Sequence, residues 1–278
     1  TIDNVNDSNY GFNLYYGNNP YNAFMDDKIN FYNNFSLSSS FGYNSLNPYF
    51  KVNSDNNFGF NNIIKLNNKL YLNFGALYQK YKMDYDQVYN NKKKDEELGS
   101  AFSFLTGITY NINKNISTKI ETGFLNEFDT LFGSRLNGAF GIGDNNLTYI
   151  ASIQNNINLF SNKLSLLGKA NFGYTNVNKI SNSLVKDISG LFSNSFAIGL
   201  NYNFNSEINE NRSNLSVLLV QPVKISSGNL KISLPIARDF VGNLYYDNHK
   251  ISLKDEKEIN LQIAYNHIIE KNSSLNLG

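Results

Sequence analysis

His249 and His267 are the only imidazoles in 278 residues, and the chain has no cysteine. Proton transfer near neutral pH and thiolate metal ligation draw on these side chains. Neither histidine has another His or a Cys at ligand spacing, so exposed turn or strand-end positions are expected for both, and no metal site. A Ser–His–Asp relay needs its nucleophile on a presenting turn such as G-x-S-x-G, which is missing, so no triad is assigned. Asp55-Asn56-Asn57-Phe58-Gly59 opens like a calcium loop, but Leu66 stands in the place of the bidentate Glu, which leaves an Asn-rich turn. Gly138, Gly141 and Gly143 have no helix after them to carry a phosphate, and a bend is the reading they support. The mixed-sign run Lys92-Lys93-Lys94-Asp95-Glu96-Glu97 reads as a solvated loop. Catalytic, cofactor and metal sites are therefore all read as none, and the segment as non-enzymatic.

What remains is a pattern carried by strands. Phe192, Phe196, Ile198, Leu200, Tyr202 and Phe204 alternate with Ser193, Ser195, Ala197, Gly199, Asn201 and Asn203. Successive strand residues face opposite sides, so this segment has one apolar and one polar face. Ile259, Leu261, Ile263 and Tyr265 oppose Asn260, Gln262, Ala264 and Asn266 in the same way. Phe102, Phe104, Ile108, Tyr110 and Ile112 do so against Ala101, Ser103, Gly107 and Asn111. The missing 3.6-residue apolar period and these alternations place the chain in the all-β class.

Charged residues are only 17% of the chain, and Asn, at about one residue in five or six, fills the gap. A net charge of +1 gives no electrostatic footprint for nucleic acid. The absence of cysteine is compatible with export. No run approaches the roughly 18 apolar residues of a membrane helix, a test that is blind to β-barrels.

Punctuation divides the chain into strands near 69–81, 99–112, 116–126, 146–159, 163–176, 190–205, 212–225, 229–236, 246–254 and 258–269, with another beginning near 273. Short connections at Asn67-Asn68-Lys69, Asn113-Lys114-Asn115, Ser161-Asn162-Lys163 and Lys271-Asn272-Ser273 alternate, in the first half, with longer loops at 82–98, 127–145 and 177–189. Outer-membrane barrels have this asymmetry, with short periplasmic turns and long external loops. The expected fold is an antiparallel transmembrane β-barrel of about 12 strands. Its lipid face would carry Phe196, Ile198, Leu200, Tyr202, Leu261 and Ile263, with Tyr78, Tyr110, Tyr174 and Tyr202 as interfacial aromatics. Lys169 and Gln221 are candidates for the lumen, where they would contact a threaded segment. Arg238 and Asp239, beside Pro235, are candidates for the pore mouth, as a turn-stabilising pair or a salt bridge across it. A soluble sandwich or solenoid, with the same alternation over a dry interior, is the competing fold.

Four stretches carry a resemblance: Asn126-Glu127-Phe128-Asp129-Thr130-Leu131-Phe132-Gly133-Ser134 with Gly138-Ala139-Phe140; Ser195-Phe196-Ala197-Ile198-Gly199-Leu200; Gln221-Pro222-Val223-Lys224-Ile225-Ser226-Ser227-Gly228 running on to Leu234-Pro235-Ile236-Ala237-Arg238-Asp239; and Leu253 through Glu258-Ile259. From about Asn47 onward the chain resembles the C-terminal translocator domain of subtilisin-like autotransporter serine proteases. The resemblance implies a monomeric barrel in the bacterial outer membrane that anchors and helps export its own passenger. It implies as partners the membrane lipid, the barrel assembly machinery and that passenger segment. It places residues 1–66 in the passenger end and linker and 67–278 in the barrel. The family pattern runs on to a further hairpin and a terminal aromatic, so the last strand is expected to lie beyond Gly278. Parity agrees: a first strand starting and a last strand ending on the periplasmic side require an even number, and about eleven strands are visible from 69. The alternatives are a porin-like channel and a soluble extracellular adhesin domain.

Overall fold

The computed structural model describes residues 10–17, 49, 56–82, 98–128, 130–132, 145–160, 163–178, 183–204, 213–270 and 273–277. Fourteen strands are found among them and no α-helix. They are β1 (Tyr10–Gly17), β2 (Asn56–Lys65), β3 (Leu70–Lys82), β4 (Leu98–Asn111), β5 (Ile116–Phe128), β6 (Asn146–Leu159), β7 (Leu164–Asn176), β8 (Val185–Ile188), β9 (Leu191–Asn203), β10 (Ser213–Ser227), β11 (Asn229–Arg238), β12 (Leu244–Ser252), β13 (Asn260–Glu270) and β14 (Ser273–Leu277).

Eleven strands form one antiparallel sheet in the order β1-β2-β3-β4-β5-β6-β7-β9-β10-β13-β14. Each strand lies beside its neighbour in sequence, with β8, β11 and β12 set aside. Among the described residues β1 and β14 are the two edges, and no ladder joins them. The all-β antiparallel expectation therefore holds, while closure into a barrel is not seen.

Asparagine builds the tight turns. Asn67 Oδ1 accepts the backbone N–H groups of Lys69 (2.8 Å) and Leu70 (2.9 Å), and Asn113 Oδ1 accepts that of Asn115 (2.8 Å). Such side chains imitate a backbone turn at little cost. Registers place the connections after β2, β4, β6, β9 and β13 at one end of the sheet, and those after β1, β3, β5, β7 and β10 at the other. The 82–98, 127–145 and 177–189 segments thus share one end.

Two expectations about strand membership change. The strands near 229–236 and 246–254 leave the large sheet and form a second one, β12-β11-β8. In their place β1 and β2 join it, so its N-terminal boundary lies at Tyr10 rather than near residue 67. Pairing runs without a break from Tyr10↔Ile64 to Gly17↔Asn57, which makes these two strands part of the sheet. Of the Asn-rich turn expected at 55–59, residues 56–59 are the start of β2, and Asp55 lies outside the described residues.

The three-stranded sheet comes wholly from connections at the long-loop end. Val177, Val185, Ile188, Leu191 and Ile232 form its buried core, flanked by Leu131, Phe132, Ile225, Leu230, Leu234 and Leu253. Lys231 Nζ lies 3.5 Å from Asp187 Oδ2 across β11 and β8. The connections after β5, β7 and β10 thus meet in one apolar cluster. Pro222, which has no N–H to give a ladder, falls at the register shift of β10 between Gln221 and Lys224.

Candidate functional site

The two faces of the large sheet differ in chemistry, and the difference is inverted relative to a water-soluble domain. On β9 the sequence alternation becomes geometry: Ile198 is 58% exposed, whereas Ala197 beside it is only 9% exposed. Ile198 stands between Gly168 of β7 and Leu219 of β10, and Leu219 pairs with Leu261 of β13. The next rows are Leu200–Val217–Ile263 and Tyr202–Leu215–Tyr265. Five of the six residues expected to face lipid therefore lie in one continuous apolar surface over three strands. Phe196, the sixth, is half-buried on the same face.

The aromatics form two levels. Tyr78 pairs with Phe102, and Tyr174 pairs with Phe192, at the long-loop end; Tyr110 and Tyr202 stand at the other. All four tyrosines are exposed. Ring contacts continue each level, Tyr174 with Phe192 at 4.9 Å and Tyr202 with Phe204 at 5.0 Å. Phe192 and Tyr202 lie ten positions apart on β9, which is about 34 Å of strand. With the roughly 45° tilt of membrane strands the levels would be about 24 Å apart, close to the ~25 Å apolar band of outer-membrane barrels.

The opposite face buries polar groups. Asn57, Gln79, Ser103, Ser117, Glu121, Asn146, Thr148, Gln154, Lys169, Asn171, Ser193 and Asn201 are all nearly or fully buried. Buried polar atoms must be hydrogen-bonded or they destabilise the fold, and many here are. Gln79 Nε2 donates to Asn57 Oδ1 (3.2 Å), Asn171 Nδ2 to Ser195 Oγ (2.9 Å) and Ser216 Oγ to Asn201 Oδ1 (2.6 Å). Thr148 and Thr175 share a 2.8 Å bond.

Charges also occur on this face. Glu121 accepts Ser152 Oγ (3.2 Å) and Asn73 Nδ2 (3.4 Å), and Lys119 Nζ lies 2.5 Å from its Oε1. Lys169 is buried on the same face. Gln221 differs from expectation. Its register partner is Phe196, so it shares the apolar-face parity, and its Nε2 donates to Asn194 Oδ1 at 2.7 Å. Gln221 continues the parity of Leu215, Val217 and Leu219, so the alternation of β10 itself puts it on that side, and the register shift begins only after it.

Arg238 and Asp239 end β11 and open the turn to β12. Among the described residues no ion pair joins them. Asp239 instead closes the turn, accepting from the N–H groups of Asn243 (2.7 Å) and Val241 (3.0 Å) and from Asn243 Nδ2 (2.8 Å). The Asn243 side chain, followed by these backbone N–H groups, holds the Asp239 carboxyl below its usual range. The Arg238 guanidinium lies over Gly242. His249 is exposed on β12, its Nε2 3.3 Å from Asp247 Oδ2, and no group of three or more His, Cys, Asp or Glu suited to a metal occurs among the described residues. Gly138, Gly141, Gly143 and the run 92–97 lie outside the described residues.

Tyr49 escaped sequence reasoning. It is buried, shares a 2.8 Å hydrogen bond with Ser193 Oγ and sets its ring 6.4 Å from Phe132. Its ring rests on Gly173, where a Cβ would meet Cε1 and Cζ at 2.7 Å. A residue between β1 and β2 is thus seated on the polar face of β7 and β9. One signal was available, an aromatic standing outside any alternating strand. Compared with known proteins, the chain matches no family model, no curated protein and no solved structure.

Proposed function

We propose that this chain is a membrane-embedded β-barrel of the outer-membrane autotransporter kind, which anchors and helps export a passenger and carries out no reaction itself. The carrying observation is the inverted polarity of the sheet, with large apolar side chains exposed and small polar ones buried. Apolar surface of that extent destabilises a chain in water and stabilises it in lipid. Antiparallel strands joined in sequence satisfy backbone N–H and C=O groups in a medium that offers no water, and closure completes this at the edges. The translocator part of the proposal rests on the sequence stretches from 126–140 to 253–259. A porin-like channel is less well supported, because the polar face is covered instead of open to water.

Since the chain has no native cysteine, single cysteines can report its sidedness. We would express it in a Gram-negative host with a reporter domain joined before Thr1, and label Val241→Cys and Asn113→Cys with a membrane-impermeant maleimide. The expected result is labelling of the first in intact cells, labelling of the second only after the outer membrane is opened, and a reporter digestible from outside. Equal labelling of both, or a reporter retained in the periplasm beside an inserted chain, would overturn the proposal.

A further inference from the structure

Among the described residues β12 pairs only with β11, which leaves its other edge open. Leu253 N donates to Gly228 O (3.0 Å) and Asp239 N to Asn243 O (3.0 Å), one bond at each end of the β11–β12 ladder. The odd-numbered residues of β12 therefore bond to β11, and Pro235, which has no N–H, falls opposite the even-numbered Tyr246. Leu244, Tyr246, Asn248, Lys250 and Ser252 point their N–H and C=O groups the other way, along a nine-residue strand that is exposed throughout. The one register shift of this ladder adds its extra residue to β11, at Ile236, so β12 itself runs straight. Such an edge is a template for a further strand.

The residues of β12 also complement themselves. In an antiparallel pair, outward-bonding residues stand opposite outward-bonding residues, so two copies of β12 meet about an axis that passes through a residue. Asn248 is the middle of the strand, and an axis there pairs all nine residues. It sets Asp247 opposite His249, Tyr245 opposite Ile251 and Tyr246 opposite Lys250. Within one chain Asp247 Oδ2 and His249 Nε2 are already 3.3 Å apart, so two copies place acid and imidazole alternately around the axis. Moving the axis by one residue sets Asp247 against Asp247, or His249 against His249, and leaves strand ends unpaired. Lys250, which opposes pairing when it meets its like, faces an aromatic ring instead.

We propose that β12 is a homotypic docking edge, through which two copies of this chain join as antiparallel strands about a two-fold axis at Asn248. The contact is isologous and closes at two chains, in place of the monomer that the sequence resemblance implies. It draws on the small sheet alone and goes beyond the proposed function, whose apolar face it does not use.

Sedimentation of the full chain in detergent over a dilution series tests it, with substitutions on β12. Asn248→Pro removes an N–H that points away from β11, so it blocks the outer edge and spares the ladder. Asp247→Lys sets a cation against His249, and Asp247→Lys with His249→Asp restores opposite charges in exchanged places. The expected result is a dimer of the unsubstituted chain that dissociates only on dilution, and a monomer at every concentration for Asn248→Pro. Asp247→Lys should dissociate about tenfold more readily, and the double variant should recover. The charge exchange decides by itself, since damage to the fold is not repaired by a second substitution. Tyr245→Cys with Ile251→Cys, in a chain without native cysteine, should oxidise to a covalent dimer, because the two positions face each other across the axis in the closer kind of pair. An unsubstituted chain that is monomeric at all concentrations overturns the proposal. So does a dimer that Asn248→Pro and the charge exchange leave unchanged, which would place the contact at the β1 or β14 edge.

Discussion

Ile198 concentrates the question of solvent into one side chain. It lies mid-strand on β9, exposed, with glycine on one side and Leu219 on the other, and its Cβ points away from the buried polar face. An arginine there would bring no clash with the interior. In a water-soluble protein such a surface change shifts stability within about 0.5 kcal/mol. Facing the middle of a bilayer it is destabilising by roughly 2–4 kcal/mol. Ile198→Arg is therefore expected to lower the unfolding free energy of the lipid-inserted chain by about that amount, measured by urea titration in vesicles. An unchanged midpoint would remove this face from lipid. The residue-scale reading of the sequence was good where alternation decides: Ile198, Leu200, Tyr202, Leu261 and Ile263 fall on one surface. It failed at Gln221, which keeps the parity of Leu215, Val217 and Leu219, so the same period-two rule puts it on the apolar-face side rather than opposite it.

At the scale of elements, β7 carries two glycines with opposite demands. A Cβ on Gly168 would meet nothing within 4 Å, whereas on Gly173 it would meet Ser193 Oγ and the Tyr49 ring at 2.7 Å. Gly168→Ala is expected to be neutral or to stabilise, since alanine loses less chain entropy on folding. Gly173→Ala should displace Tyr49 from Ser193 and be destabilising by about 1–3 kcal/mol, the range for overpacking. Comparing the two denaturation midpoints under one condition separates packing from propensity, and equal midpoints would mean that Tyr49 is not held there. Elements were less legible than residues. On β12, apolar Leu244, Tyr245, Tyr246 and Ile251 fall on both parities with Asp247, His249 and Lys250 between them, so neither face is uniformly apolar. That irregularity distinguishes β12 from the sheet strands. β2 is the reverse case. Phe58 and Phe60 alternate with Asn57, Gly59 and Asn61, a pattern hidden by the weight of asparagine around it and interrupted at Asn62-Ile63.

For the whole molecule, the count of eleven strands agreed with the sheet while two of its members were wrong, so agreement in number was weak support. β1 starts at the short-turn end, and β14 also runs from that end toward the long loops. The edges of β1 and β14 and the apolar face have a joint consequence in water. Unpaired strand edges recruit other chains, and an exposed apolar surface drives the same association. The purified chain is expected to sediment as polydisperse aggregate in detergent-free buffer and as a single species with a bound micelle in detergent, as read by analytical ultracentrifugation. A soluble adhesin domain makes the opposite prediction, because its apolar residues would pack between two sheets and leave a polar exterior. A monodisperse, cooperatively unfolding monomer without detergent would thus require the faces to be reversed from what is seen, with Ile198, Leu200 and Leu261 turned inward. Register excludes that reversal unless every strand slips by one residue.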